Sequence, residues 1–256
     1  MTFPSLQKTF LNYPTQVLNA DDQQGVWLDF SLPNGNDTQP TQGATITSVK
    51  NRWGDGVFDG TAIGTPTYRI SDTTAPSKLP VVRTNGTTDG FITGDFGFDI
   101  SNFTIFVAGK FPNSGVHALF VELGPDANNN DGFYLFGENA HSFLVRDNAV
   151  VSSVDVGVDW PGPNFMVTCA TANNIMGSPL SVYKNGVVVG TAGAAFSDTM
   201  VSQPLNIALR DGGAGTFFTG GDWGELILFL NIGLPPSKIQ VINDYLMKKW
   251  LGIPAP

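Results

Sequence analysis

Short runs rich in Val, Ile, Phe, Tyr and Thr alternate with clusters of Gly, Pro, Asn and Asp along most of the chain. That pattern marks strands joined by turns. The clearest runs are 26–30, 46–50, 79–83, 91–93, 103–111, 118–123, 133–136, 143–146, 149–156, 165–170, 180–184, 187–191, 205–209 and 225–230. Within 103–111, Phe103, Ile105 and Val107 share one face and Thr104, Phe106 and Ala108 the other. Both faces are largely apolar, which predicts a central strand. Asn185 and Gly186 stand between two runs, and this pair suits the two positive φ angles of a type I′ hairpin turn. Residues 124–132 read as a longer hairpin loop. Many short strands with no helical run between them predict an all-β fold, a two-sheet antiparallel jelly-roll sandwich. No repeat of fixed period is visible.

The two ends differ from this pattern. Near the C-terminus, Pro235 and Pro236 stop a strand and the spacing predicts an amphipathic helix over 236–250. Ser237 is the expected cap, with Gln240 in the capping-box position. Ile239, Ile242, Tyr245, Leu246 and Trp250 form one stripe, the anchors that lay the helix on the sandwich. Lys248 and Lys249 fall in the last turn, where positive charge suits the helix dipole. Gly252 and Pro254 end the helix. Trp27 reads as a further core anchor. Residues 1–22 carry little periodicity, yet Phe3, Leu6, Phe10, Leu11, Tyr13 and Leu18 are too apolar for a purely solvated tail. They read either as a frayed terminus or as an assembly arm that docks on a partner, with the jelly-roll domain over 23–256.

Composition narrows the function. A chain of 256 residues is long enough for one large β domain. Its net charge of −9, without a Lys/Arg run, argues against nucleic acid. A single cysteine excludes a disulfide framework within the chain. Charged residues make up 14%, well below the roughly 25% of typical globular chains. Such a surface suits a virion, extracellular or cell-surface protein. No run approaches the length of a membrane span. Residues 1–13 lack the apolar core of a secretory signal. The expectation is therefore a mature exported protein, or one that leaves its cell without a signal, as a phage component released by lysis does.

Catalytic chemistry is sparse. A retaining glycosidase needs two carboxylates about 5 Å apart, and sandwich glucanases commonly take them from alternate positions of one strand. Glu225 has no acid at i+2 or i+4, and Asp222 lies outside its alternation. Glu122 and Glu138 are isolated as well. His117 and His141 are the only histidines, and no serine elbow accompanies them. Cys169, inside an apolar run, reads as a small core hydrophobe. Asp126, Asn128, Asn130 and Asp131 are candidate calcium ligands, although Asp131 and Gly137 hold the positions where an EF-hand has Gly and Glu. A polar hairpin loop is the simpler reading there. Trp53, Trp160 and Trp223 adjoin loops and are the candidates for stacking on sugar rings; structural packing is the alternative for each. No cofactor is implied beyond that calcium question.

An ordered set of motifs over residues 24–252 resembles the concanavalin A-like, laminin-G-like jelly-roll superfamily, in the branch common among phage and marine bacterial proteins. Val26-Trp27-Leu28-Asp29-Phe30 resembles its opening strand, and Ser181 to Gly186 its Tyr-x-Asn-Gly hairpin. Most specific is the C-terminal stretch from Gly221 through Glu225 to Tyr245, Leu246, Lys249 and Trp250. The resemblance implies two curved sheets sealed by a C-terminal helix, and binding or structural roles more often than catalysis. The reading is a non-enzymatic structural or adhesion component of a phage virion, a capsid decoration or a tail or fibre protein. It would be a homo-oligomer that contacts other virion proteins through the arm and binds host glycans. The alternatives are a bacterial carbohydrate-binding module and, last, a glycoside hydrolase.

Overall fold

The structure is a computed structural model, and it describes residues 25–35, 39–53, 58–97, 100–111, 119–123, 132–136, 143–147, 150–154, 164–172, 180–193, 203–210 and 218–253. The 1–22 arm, with Phe3, Leu6, Phe10, Leu11 and Tyr13, lies outside them.

The described strands form two eight-stranded antiparallel sheets. The first runs β14 (Val187–Ala192), β13 (Leu180–Lys184), β12 (Met166–Ala172), β7 (Phe103–Lys110), β16 (Gly220–Leu230), β5 (Val81–Asn85) and β4 (Thr67–Arg69). β1 (Gly25–Asp29) also pairs with β16, beyond the stretch that β5 occupies. The second sheet runs β11 (Val150–Val154), β10 (Phe143–Asp147), β9 (Gly132–Phe136), β8 (Leu119–Leu123), β15 (Pro204–Ile207), β6 (Gly90–Asp95), β3 (Gly60–Ile63) and β2 (Ser48–Val49). The expected sandwich is therefore present. β3 and β4 are additions, each short and set among Gly and Pro. β16 starts at Gly220, upstream of the expected start at Glu225, because its Gly-rich opening reads locally as a turn.

Alternation along the strands of the first sheet feeds two apolar layers. Phe103, Ile105 and Val107 enter the core between the sheets, while Phe106 and Ala108 enter a second cluster under the C-terminal helix. β7 is central, between β12 and β16, as its two apolar faces predicted. At the β13–β14 hairpin Asn185 has φ 49° and Gly186 φ 80°, the positive angles of the type I′ turn.

Helix α1 (Pro236–Leu246) covers the outer face of the first sheet and runs into a π-helical turn, Met247–Leu251. Its start differs from expectation. The cap is Pro235, with no side-chain bond, and Ser237 does not cap. Pro236 at the first position lacks the N–H that a cap would satisfy. Gln240 bonds Asp244 at 2.8 Å instead of reaching back to the cap. The wide final turn carries both Lys249 and Trp250 inward, so Lys249 is buried rather than solvated. Gly252, at φ 68°, ends it.

Trp250 reaches the sheet because Gly224 leaves room. A Cβ on Gly224 would meet Phe165 and Trp250 at 2.9 Å, and these two rings are stacked with centroids 5.5 Å apart. Overpacking of this kind costs about 1–3 kcal/mol. Gly224→Ala is therefore expected to lower the urea midpoint by that equivalent with an unchanged m-value.

Candidate functional site

Among the described residues, a polar centre lies on the outer face of each sheet. The first is buried beneath α1. The antiparallel register sets Asp29 of β1 directly opposite Glu225 of β16, and the π-helical turn lowers Lys249 between them. Lys249 Nζ lies 2.8 Å from Asp29 Oδ2 and 2.7 Å from Glu225 Oε2. Three aromatic donors complete the glutamate: Trp27 Nε1 at 2.6 Å and Tyr245 OH at 2.9 Å donate to Oε1, and Trp250 Nε1 at 2.9 Å donates to Oε2. Asp29 Oδ1 accepts from the Ser31 hydroxyl at 2.6 Å and the Ser31 amide at 3.0 Å. Arg52 Nη1 stands 3.9 Å from Asp29 Oδ2.

Burial pushes the Asp29 carboxyl up, but Lys249, Arg52 and the hydrogen bonds outweigh it and hold Asp29 below the ordinary aspartate range. For Lys249, burial pulls the ammonium down while the two carboxylates raise it above the ordinary lysine value. Tyr245 is pushed well up by burial and then by the neighbouring Glu225 and Asp29 charges. The cluster is thus a sealed ion-pair centre. As a glycosidase pair, Asp29 and Glu225 would need contact with sugar and water, yet they are 1% and 0% exposed.

This pairing has no signature within β16, because the acid opposite Glu225 belongs to β1, far away along the chain. Only the strand register could have found it. Asp222, the nearest acid in the chain, serves elsewhere: Arg83 grips it through Nε at 2.6 Å and Nη2 at 2.9 Å.

The second centre is on the face of the second sheet turned away from the core. Val121, Leu123, Leu205, Ile207 and Phe91 point into the inter-sheet core, so their neighbours Glu122, Asn206 and Ile92 point outward. Register places Asn206 beside both Glu122 and Ile92, and Ile92 beside Thr61. Asn206 Nδ2 donates to Glu122 Oε2 at 3.2 Å. Arg210 Nε is paired with Glu122 Oε1 at 3.4 Å and forms the partly exposed rim. Thr61 and Ser153 on this sheet are exposed and Ile92 half-buried. Glu122 and Asn206 are themselves only 0% and 1% exposed, so the groups that can reach sugar hydroxyls are the partly exposed Arg210 guanidinium and the exposed Thr61 and Ser153 hydroxyls.

The expected tryptophan platform needs correction. Trp223 is 0% exposed between the sheets, 4.6 Å from Phe111 and 6.0 Å from Phe30 by ring centroids, with Nε1 donating to Thr84. Trp53 is 4% exposed and packs on Phe229 and Trp27. Neither ring offers a face to a ligand, since both are consumed by aromatic packing. Trp160, His117, His141 and the candidate calcium ligands Asp126, Asn128, Asn130 and Asp131 lie outside the described residues. Trp27, Ile239, Ile242, Tyr245, Leu246 and Trp250 are all buried in the layer under α1. Cys169 shares that layer, and burial pushes its thiol well up. Among the described residues no cluster of three His, Cys, Asp or Glu side chains could hold a metal ion. No helix among them is long and apolar enough to cross a membrane.

No protein-family model and no curated protein matches the chain. Solved structures do match its fold. Domain 4 of AbnA, a GH43 extracellular arabinanase from Geobacillus stearothermophilus solved with arabinotriose, aligns with a TM-score of 0.55 at 14% identity, over 78% of this chain and 98% of that one. The receptor-binding domain of botulinum neurotoxin D aligns at 0.58 and 13% identity, over 88% of this chain and 53% of that one. The ligand-binding domain of the same serotype, in complex with N-acetylneuraminic acid, aligns at 0.56 and 12% identity, over 87% and 51%. The chain shares their β-sandwich fold.

Two substitutions test the buried layer. Lys249→Met removes the ammonium shared by the two facing carboxylates and leaves only Arg52, 3.9 Å from Asp29, and breaking a buried pair costs about 3–5 kcal/mol; chemical denaturation should show a loss of that size. Asn243, fully buried on α1, has no hydrogen-bond partner for either side-chain polar atom. An unsatisfied buried amide costs about 1–3 kcal/mol, so Asn243→Leu is expected to raise the midpoint of the same transition.

Proposed function

We propose that the chain is a non-enzymatic glycan-binding sandwich that serves as a structural or adhesion component of a phage virion, its ligand face being the outer face of the second sheet. The observation that carries this reading is the asymmetry between the two outer faces. α1 and an aromatic layer seal the first sheet. The second carries exposed Thr61 and Ser153 and the partly exposed Arg210, which is held by the buried Glu122. Fold neighbours solved with arabinotriose and with N-acetylneuraminic acid support a glycan as the ligand. The weakly charged composition and the motif resemblance support the virion setting. A carbohydrate-binding module of a bacterial surface system is the second reading, and the arabinanase domain favours it.

Binding to a glycan array, with and without calcium, tests the common part. Thr61→Arg should weaken any observed binding by about tenfold or more, equivalent to at least about 1.4 kcal/mol. Val187→Ser, exposed on the first sheet, should leave it unchanged. Silence across the array overturns glycan binding. Absence of the protein from purified particles overturns the virion role and leaves the module.

A further inference from the structure

The buried Lys249 centre has the parts of an amide-forming site, and we propose that Lys249 Nζ condenses with the Asp29 side chain to give an intramolecular isopeptide bond between β1 and the C-terminal helical segment. The inference is independent of glycan binding.

Each requirement of the reaction has a residue. The nucleophile is held in place: Lys249 Nζ sits 2.8 Å from Asp29 Oδ2. Enforced proximity of this kind is worth a large effective concentration. The two oxygens of the electrophile are held differently, Oδ2 by Lys249 with Arg52 at 3.9 Å and Oδ1 by Ser31. Both donors of Ser31, hydroxyl and amide, converge on Oδ1, which is the oxygen that must carry charge in a tetrahedral intermediate. Oδ2, on the lysine side, is the oxygen that leaves. A base is in reach: Glu225 Oε2 accepts from Nζ at 2.7 Å. Around these groups stand Trp27, Tyr245 and Trp250, all at most 3% exposed. Their packing excludes the water that would hydrolyse the product. The uncharged amide also removes two buried charges at once.

Atoms and charge balance. Glu225 takes a proton from the Lys249 ammonium, and the freed amine attacks Asp29 Cγ. The C–N bond forms as negative charge builds on Oδ1 between the Ser31 donors. Glu225 returns that proton to Oδ2 and relays a second one from the nitrogen. The C–Oδ2 bond breaks and water departs. An ammonium and a carboxylate become one amide and one water, and Glu225 ends ionised as it began, accepting from the three aromatic donors.

The test is the mass of the full-length protein, denatured after prolonged incubation in its folded state at neutral pH. The expected result is a mass one water below that of the sequence, with a branched proteolytic fragment joining Lys249 to Asp29. Lys249→Arg keeps the positive charge without the amine nucleophile and should show its full sequence mass. Glu225→Gln, folded by circular dichroism, should lose most of the cross-link. Full sequence mass in the wild-type protein overturns the proposal. So does a lost water that fragmentation maps to an Asp-Gly succinimide, with linear Lys249 and Asp29 peptides. Because the wild-type fragment decides, a variant that fails to fold does not blur the result.

Discussion

The position of one ammonium group organises the C-terminal half of the architecture. Lys249 can be buried only where counter-charge is preformed, and Asp29 and Glu225 supply it from two neighbouring strands. A buried ion pair is weak evidence for stability, because desolvation offsets much of the attraction. It is strong evidence for placement. The lysine satisfies both carboxylates only when β1 is in register on β16 and the helix is in register on both. A slip of β1 by one residue would turn Asp29 to the other face and leave Glu225 facing an apolar side chain. The centre therefore selects one arrangement among many that would bury similar apolar area.

Packing around that centre follows from it. The inward course of the π-helical turn brings Trp250 as well as Lys249 onto the sheet, and Gly224 is the floor on which the indole rests. Trp27, Tyr245 and Trp250 each contribute both ring area and a hydrogen bond to Glu225. Large aromatic residues with a polar handle suit this double role. The described residues form three layers: the second sheet, the first sheet, and the helix. The first sheet is apolar on both faces, which leaves the outer face of the second sheet to carry its partly exposed polar rim.

Much of this was legible from residue order. Alternation in 103–111 showed a strand with two buried faces, and Asn185-Gly186 showed the β13–β14 hairpin. Both rest on local backbone preferences that tertiary structure had no reason to override. Long-range pairing was not legible. Glu225 looked isolated because its acidic neighbour comes from β1, and Lys249 was read as a charge suiting the helix dipole although helical spacing puts it on the stripe of Ile242, Tyr245 and Leu246. Trp53 and Trp223 adjoin turns in sequence yet point inward, since proximity to a loop says nothing about side-chain direction. Glu122, Asn206 and Arg210 were equally hidden, because three separated polar residues form a centre only once β8 and β15 are paired.

β16 holds β5 along one part of its length and β1 along the rest. The first strand of the described domain and its last helical segment consequently meet on the same stretch of one strand. Tension applied through the two ends of this domain would not first reach the inter-sheet core. It would act across the seam of β1, β16 and the terminal turn, loading the β1–β16 ladder in shear. The seam where such a load arrives is a joint a few residues wide, built from the β1–β16 ladder and the contacts of Lys249.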